Sequence, residues 1–154
     1  MAIERVIEYF EDLGCAHKIK QFEVSSATVE LAAQALGCEG ARIAKTLSFL
    51  VDGSAVLIVT AGDMKVDNSK FKGFFHTKAK MLTPGQVDEL IGHSIGGVCP
   101  FAVKNGCKVY LDVSLKRFDI VYPAAGNAAS AVELTPDELE KYSGSLGWID
   151  VCKS

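Results

Sequence analysis

The sequence contains no Cys-x-x-Cys pair, and its three histidines, His17, His76 and His93, stand at no metal-ligand spacing from a cysteine. Neither a zinc site nor a disulfide framework is indicated. The five cysteines, Cys15, Cys38, Cys99, Cys107 and Cys152, therefore read as reduced, mostly buried thiols. Long apolar runs are also missing. The longest, residues 47–51 and 55–61, are broken by Ser48 and Thr60 and fall far short of the roughly 20 residues of a membrane-spanning helix, so no membrane partner is expected. The opening residues Met1, Ala2, Ile3, Glu4 and Arg5 lack the basic-then-apolar order of a secretory signal, which predicts a cytoplasmic protein. No Gly-x-Ser-x-Gly elbow occurs, and no glycine loop ends in Gly-Lys-Ser/Thr. A serine-hydrolase elbow and a Walker phosphate loop are thus excluded, and nothing calls for a cofactor.

What is present is enough apolar material for a core. Of 154 residues, 49% are hydrophobic and 23% charged, which excludes wholesale disorder and predicts one domain over residues 1–154. The net charge of −3 hides an uneven distribution. Residues 1–37 carry three Lys/Arg against six Asp/Glu, residues 38–80 carry seven against four, and residues 131–154 carry two against five. The basic middle, with Lys45, Lys65, Lys70, Lys72, Lys78 and Lys80, would attract phosphates even in an acidic protein. Lysines scattered over solvated faces are the plainer alternative.

Periodicity supplies the elements. Ile3, Val6, Ile7, Phe10 and Leu13 predict an amphipathic helix stopped by Gly14. Residues 17–24 alternate as a half-buried strand, after which Ser25 and Ser26 offer caps for a helix carrying Val29, Ala32, Ala33 and Leu36 to Gly37. Residues 45–51 and 55–60 flank Asp52, Gly53 and Ser54, a hairpin signature. A short helix is expected between Val66 and Phe71. Thr83-Pro84-Gly85-Gln86 and Thr135-Pro136-Asp137-Glu138 each predict a capped helix start. Residues 109–113, 118–122, 131–134 and 148–152 read as strands. This order predicts a mixed α/β fold, a curved sheet with helices outside it, with a segregated α+β arrangement as the alternative.

Few residues suggest chemistry. Lys45 stands where a loop enters an apolar strand, placed to anchor phosphate or stabilise negative charge, or else to sit at a strand edge with its head in water. Thr46 points to the opposite strand face unless the strand begins at Thr46 itself. The stretch from Ser94 through Gly96, Gly97, Val98 and Cys99 to Pro100 has paired glycines, which let a backbone approach a ligand and equally serve a plain turn. His93 adjoins it, and Cys99 is either a nucleophile or a buried inert thiol. Asp112 ends a strand, to orient a ligand or to cap the turn at Ser114.

Together, Lys45-Thr46-Leu47, Gly96-Gly97-Val98-Cys99-Pro100, Tyr110-Leu111-Asp112 and Val132-Glu133-Leu134 resemble the YbaK and prolyl-tRNA-editing family of aminoacyl-tRNA deacylases, over roughly residues 15 to 142. The resemblance implies a barrel-like mixed sheet surrounded by helices. It implies a hydrolase that clears a wrong amino acid from the 3′-terminal adenosine of tRNA, of the Cys-tRNA(Pro) or Ala-tRNA(Pro) type, acting free-standing beside a synthetase. It maps the family's catalytic lysine onto Lys45 and its glycine loop onto Gly96, Gly97 and Pro100, with Phe22 and Thr46 lining the pocket. Thr28 and Asp112 are expected to join the substrate-binding set. Where better-known members carry a serine and an aspartate, this chain has Ala124 and Ala131, and Asn127 and Ser130 are the candidates to replace them. An activated ester needs little beyond positioning and carbonyl polarisation, so the missing triad is no obstacle. Two rival classes remain: a module that binds a nucleotide or tRNA 3′ end without hydrolysis, and a hydrolase using Cys99.

Overall fold

The computed structural model describes residues 2–23, 28–93 and 98–154. Ser25, Ser26, Gly96 and Gly97 therefore lie outside the described residues, as does Ser94.

Of the predicted stripe, helix α1 (Ala2–Asp12) buries Ile3, Val6 and Phe10 and half-buries Ile7, while Leu13 falls beyond its end and is exposed. The predicted strand of residues 17–24 is shorter. A 3₁₀ turn occupies Ala16–Lys18 and strand β1 is Ile19–Gln21. Helix α2 (Val29–Leu36) is capped by Thr28, whose hydroxyl accepts from the Leu31 amide, and ends in left-handed Gly37.

The hairpin forms as its turn residues dictate: β2 (Ile43–Val51) and β3 (Ser54–Ala61) run antiparallel, with Asp52 and Gly53 at φ +51° and +79°. Glycine at such a φ avoids the Cβ clash. Next come β4 (Lys65–Val66), which the sequence reading missed, α3 (Asn68–Phe75) and α4 (Pro84–Leu90). The chain continues through β5 (Lys108–Asp112), β6 (Tyr122–Pro123), β7 (Ser130–Val132) and α5 (Pro136–Ser143). Both predicted capping boxes are present, at Thr83 with Gln86 and at Thr135 with Glu138. The predicted strand of residues 148–152 is split into β8 (Trp148–Ile149) and β9 (Cys152–Lys153), which pair in different sheets.

The main sheet has the order β6-β2-β3-β5-β8, parallel except for the β2–β3 hairpin. The mixed α/β expectation holds, but this sheet is open: its edges are two-residue strands, and among the described residues no pairing closes it into a barrel. Two small ribbons, β1–β7 and β4–β9, accompany it. Each sheet face buries its own core. Leu57, Val59 and Ala61 pack with Val6, Phe10, Val87 and Leu139 on one side. Val56 and Ile58 pack with Phe71 and Val151 on the other.

Candidate functional site

The site begins with the edge of β2. That strand pairs with β3 from Ala44 to Val51, but β6 reaches it only at Ile43 and Ala44. Further along the same edge, the segment after α3 pairs with it: the Leu82 amide donates to the Ser48 carbonyl at 3.2 Å, and the Leu50 amide to the Lys80 carbonyl at 2.8 Å. Backbone groups in a strand alternate sides, so Thr46 presents its N–H and C=O to the same edge, in the gap between these two partners. Among the described residues nothing pairs with them. The Thr46 hydroxyl is also buried and has no hydrogen-bond partner among the described residues. Among the described residues, three polar groups of one residue thus have no protein partner, and the buried one, the hydroxyl, is of a kind that is ordinarily paired.

They border a cavity of about 340 Å³, at the small end of ligand pockets, which span roughly 300–1,000 Å³. Residues 43–48 of β2 form one wall. Thr28 and, from α2, Val29 and Ala32 meet Met81, Leu82, Val87 and Val98 around it, and Tyr122, Ala124, Ser130 and Ala131 complete it. The register places Lys45 opposite Thr60 and Thr46 opposite Val59, so their side chains leave opposite faces, as strand alternation requires. Both nevertheless line the cavity, because it lies at the strand's edge rather than against one face. Lys45 is half-buried, and no described residue gives its ammonium a hydrogen bond or an ion pair. Its charge reaches Asp63, whose carboxyl is held below the usual range chiefly by the hydrogen bond from Arg117, with Lys45 contributing less.

The other predicted residues divide. Thr28 lines the cavity while its hydroxyl caps α2. Ser130 lines it too, but its Oγ accepts from the Ala125 amide at 3.2 Å and donates to the Asn127 carbonyl at 3.3 Å. Asn127 is not among the lining residues, and its Oδ1 accepts from the Ala129 amide at 2.9 Å, shaping the turn before β7. Phe22 and Pro100 lie outside the lining as well, Phe22 tied to Ala129 through its amide. Asp112 is 1% exposed and away from the cavity. Its two carboxylate oxygens each accept a backbone amide at 3.0 Å, from Ser114 and from Val151. This is the capping alternative, extended to the link between β8 and β9. Val98 directly follows Gly97 and lines the same cavity as Lys45. Sequence reasoning missed Ser48, Met81, Leu82 and Tyr122. Only Ser48 carried a signal, the alternation that puts Ala44, Thr46 and Ser48 on one strand face.

Cys99 is fully buried, lines no part of the cavity, and burial pushes its thiol up to about 12. It is the inert alternative, since a nucleophile must be an accessible thiolate. Among the described residues no cluster of three or more His, Cys, Asp or Glu is arranged for a metal, and no helix is long and apolar enough to cross a membrane.

Comparison with known proteins gives concordant findings. Residues 23–142 match the family described as the aminoacyl-tRNA editing domain. A Bacillus subtilis (strain 168) protein, described as uncharacterized protein YwhH, is 52% identical over 154 residues, covering 99% of this chain and 98% of that one. Proline–tRNA ligase of Leuconostoc citreum (strain KM20) is 33% identical over 100 residues, which cover 64% of this chain and 17% of the ligase. A crystal structure of a proposed trans-editing enzyme for prolyl-tRNA synthetase superposes with a TM-score of 0.89 at 30% identity, covering 99% of this chain and 98% of that one.

Proposed function

Because the chain belongs to the aminoacyl-tRNA editing domain family, we propose that it is a deacylase that hydrolyses the ester joining a wrong amino acid to the 3′-terminal adenosine of tRNA. The observation that carries this reading is that Thr46 groups without a partner and a Lys45 without an ion pair, both among the described residues, line one cavity. Their donors and acceptors match an aminoacyl ester. The Thr46 N–H donates to the ester carbonyl oxygen, and the Thr46 carbonyl accepts from the α-ammonium. Lys45 offsets negative charge, on the nucleotide phosphate or on the oxyanion that forms. Water adds to the carbonyl carbon, the bond to the ribose oxygen breaks, and that oxygen takes the proton that water releases. Free amino acid and intact tRNA leave, with no acyl-enzyme.

The cavity favours small, uncharged acyl groups, since Val87, Val98, Ala124 and Ala131 line it. That supports alanine or cysteine on tRNA(Pro). The name of the superposed structure and the prolyl-tRNA ligase relatives point to the same tRNA, and the near-complete coverage of the former supports action in trans. Editing by a separate site answers a limit of binding, since one methylene in an apolar pocket discriminates by only about 10–200-fold.

The test is incubation with tRNA(Pro) charged with alanine, cysteine or proline. Release of alanine or cysteine with proline spared supports the reading, and no release from any of them refutes it. One observation favours a second reading: Ala124 and Ala131 bring only methyl groups to the cavity, where the resemblance implies a serine and an aspartate. A module that binds the 3′ end without hydrolysis would hold the charged tRNAs in the same assay and release nothing.

A further inference from the structure

A second hollow, of about 360 Å³, lies between α3 and the chain that follows it, lined by Asn68, Ser69, Lys72, Lys78 and Ala79. Among the described residues, four cations are paired with acids, Lys18 with Glu138, Arg42 with Asp119, Lys70 with Asp150 and Arg117 with Asp63, while Lys104 donates to the Glu89 carbonyl and Lys116 lies over the Trp148 ring. Lys72 and Lys78 are exposed, and no described residue supplies either ammonium with an acidic or hydrogen-bonding partner. Lys80 and Met81 continue directly from this hollow to the cavity. Met81 lines the cavity and is 57% exposed, so it forms part of the rim between the two. Lys78 and Met81 are three residues apart, so at most about 11 Å of chain separates the two lips. The segment is anchored, since the Lys80 carbonyl and the Leu82 amide both bond to β2.

We infer that this hollow holds the phosphates immediately 5′ to the terminal adenosine, so that the single-stranded 3′ end of the tRNA runs over Lys78 and Lys80 into the cavity. The inference rests on the cavity being the ester site. Two unpaired ammonium groups flanked by the Ser69 hydroxyl and the Asn68 amide suit phosphate oxygens, which fix position without reading sequence. The chain is acidic overall, so a local basic track is what would orient an RNA strand on it.

The experiment compares wild type with Lys72→Ala/Lys78→Ala on two substrates, mischarged full-length tRNA and the corresponding aminoacyl-adenosine, which has no phosphate. The expected result is a KM for tRNA raised about tenfold with kcat unchanged, and a salt slope of log(kcat/KM) shallower by about 0.7 per lysine removed. Turnover of aminoacyl-adenosine stays at the wild-type value. Unaltered KM and salt slope on tRNA overturn the inference, as does an equal loss on both substrates. Should wild type hydrolyse neither substrate, the functional reading fails by itself. Binding of uncharged tRNA, followed by fluorescence anisotropy against salt, then decides the docking track: weaker, less salt-dependent binding by the variant supports it, and identical binding removes it.

Discussion

The Nε2 of His93 lies 2.8 Å from the carbonyl oxygen of Phe101, with His93 wholly buried. A carbonyl only accepts, so Nε2 carries the proton and Nδ1 is a bare lone pair, buried without a partner among the described residues. The bond joins the two sides of the stretch that contains Gly96 and Gly97. Burial lowers the His93 pKa, with the nearby charge of Arg5 adding to the effect and the Phe101 bond opposing it.

A pH dependence of stability follows. Protonation would put a second N–H at Nδ1, where no described residue offers an acceptor. The folded pKa is depressed, so in the acidic window the unfolded chain binds more protons. The contribution from His93 is therefore complete above the unfolded pKa of about 6.5 and is lost as pH falls from there towards the folded value. Denaturant melts across this range should show stability declining on acidification, with a smaller decline in His93→Asn. An equal decline in both would remove His93 as the cause.

Asp112 predicts a structural phenotype. Each of its oxygens accepts a buried amide, from Ser114 and Val151. Leaving a buried donor unsatisfied costs about 1–3 kcal/mol, so Asp112→Ala should lose on the order of 3 kcal/mol. Any protein that remains folded should keep its KM for aminoacyl ester. A raised KM at unchanged stability would return Asp112 to the substrate site.

Cys99→Ala tests the thiol. With the sulfur fully buried and its thiol pushed up to about 12, the substitution should cost about 1 kcal/mol of stability and leave kcat within a factor of about two. Loss of turnover in a folded Cys99→Ala protein would make it the nucleophile after all.

What could be read from the sequence was local. Thr83 with Gln86, Thr135 with Glu138, and Asp52-Gly53 each satisfy their own neighbours, so the elements they start or join appear where expected. Predicted strands failed where pairing is set from afar. Residues 148–152 divide because Leu111 and Asp112 take one end and Val66 the other. The site followed the same rule. Lys45 and Thr46 were visible as residues, but the gap that exposes Thr46 depends on where β6 stops and residues 80–82 begin. For Asp112 only the cap on the Ser114 turn was local enough to be read, because its second partner, Val151, is 39 positions away.

The most direct measurement is single-turnover hydrolysis of a mischarged tRNA(Pro) by wild type and Lys45→Ala, with folding of the variant verified by its melting curve. Lys45 has no hydrogen-bond or ion-pair partner among the described residues, so its removal should leave the fold intact. A drop in rate of about 100-fold or more is predicted, the scale of losing a charge-stabilising group. Wild-type rates from a folded Lys45→Ala protein would contradict the proposal that this cation and the edge of β2 form a deacylation site.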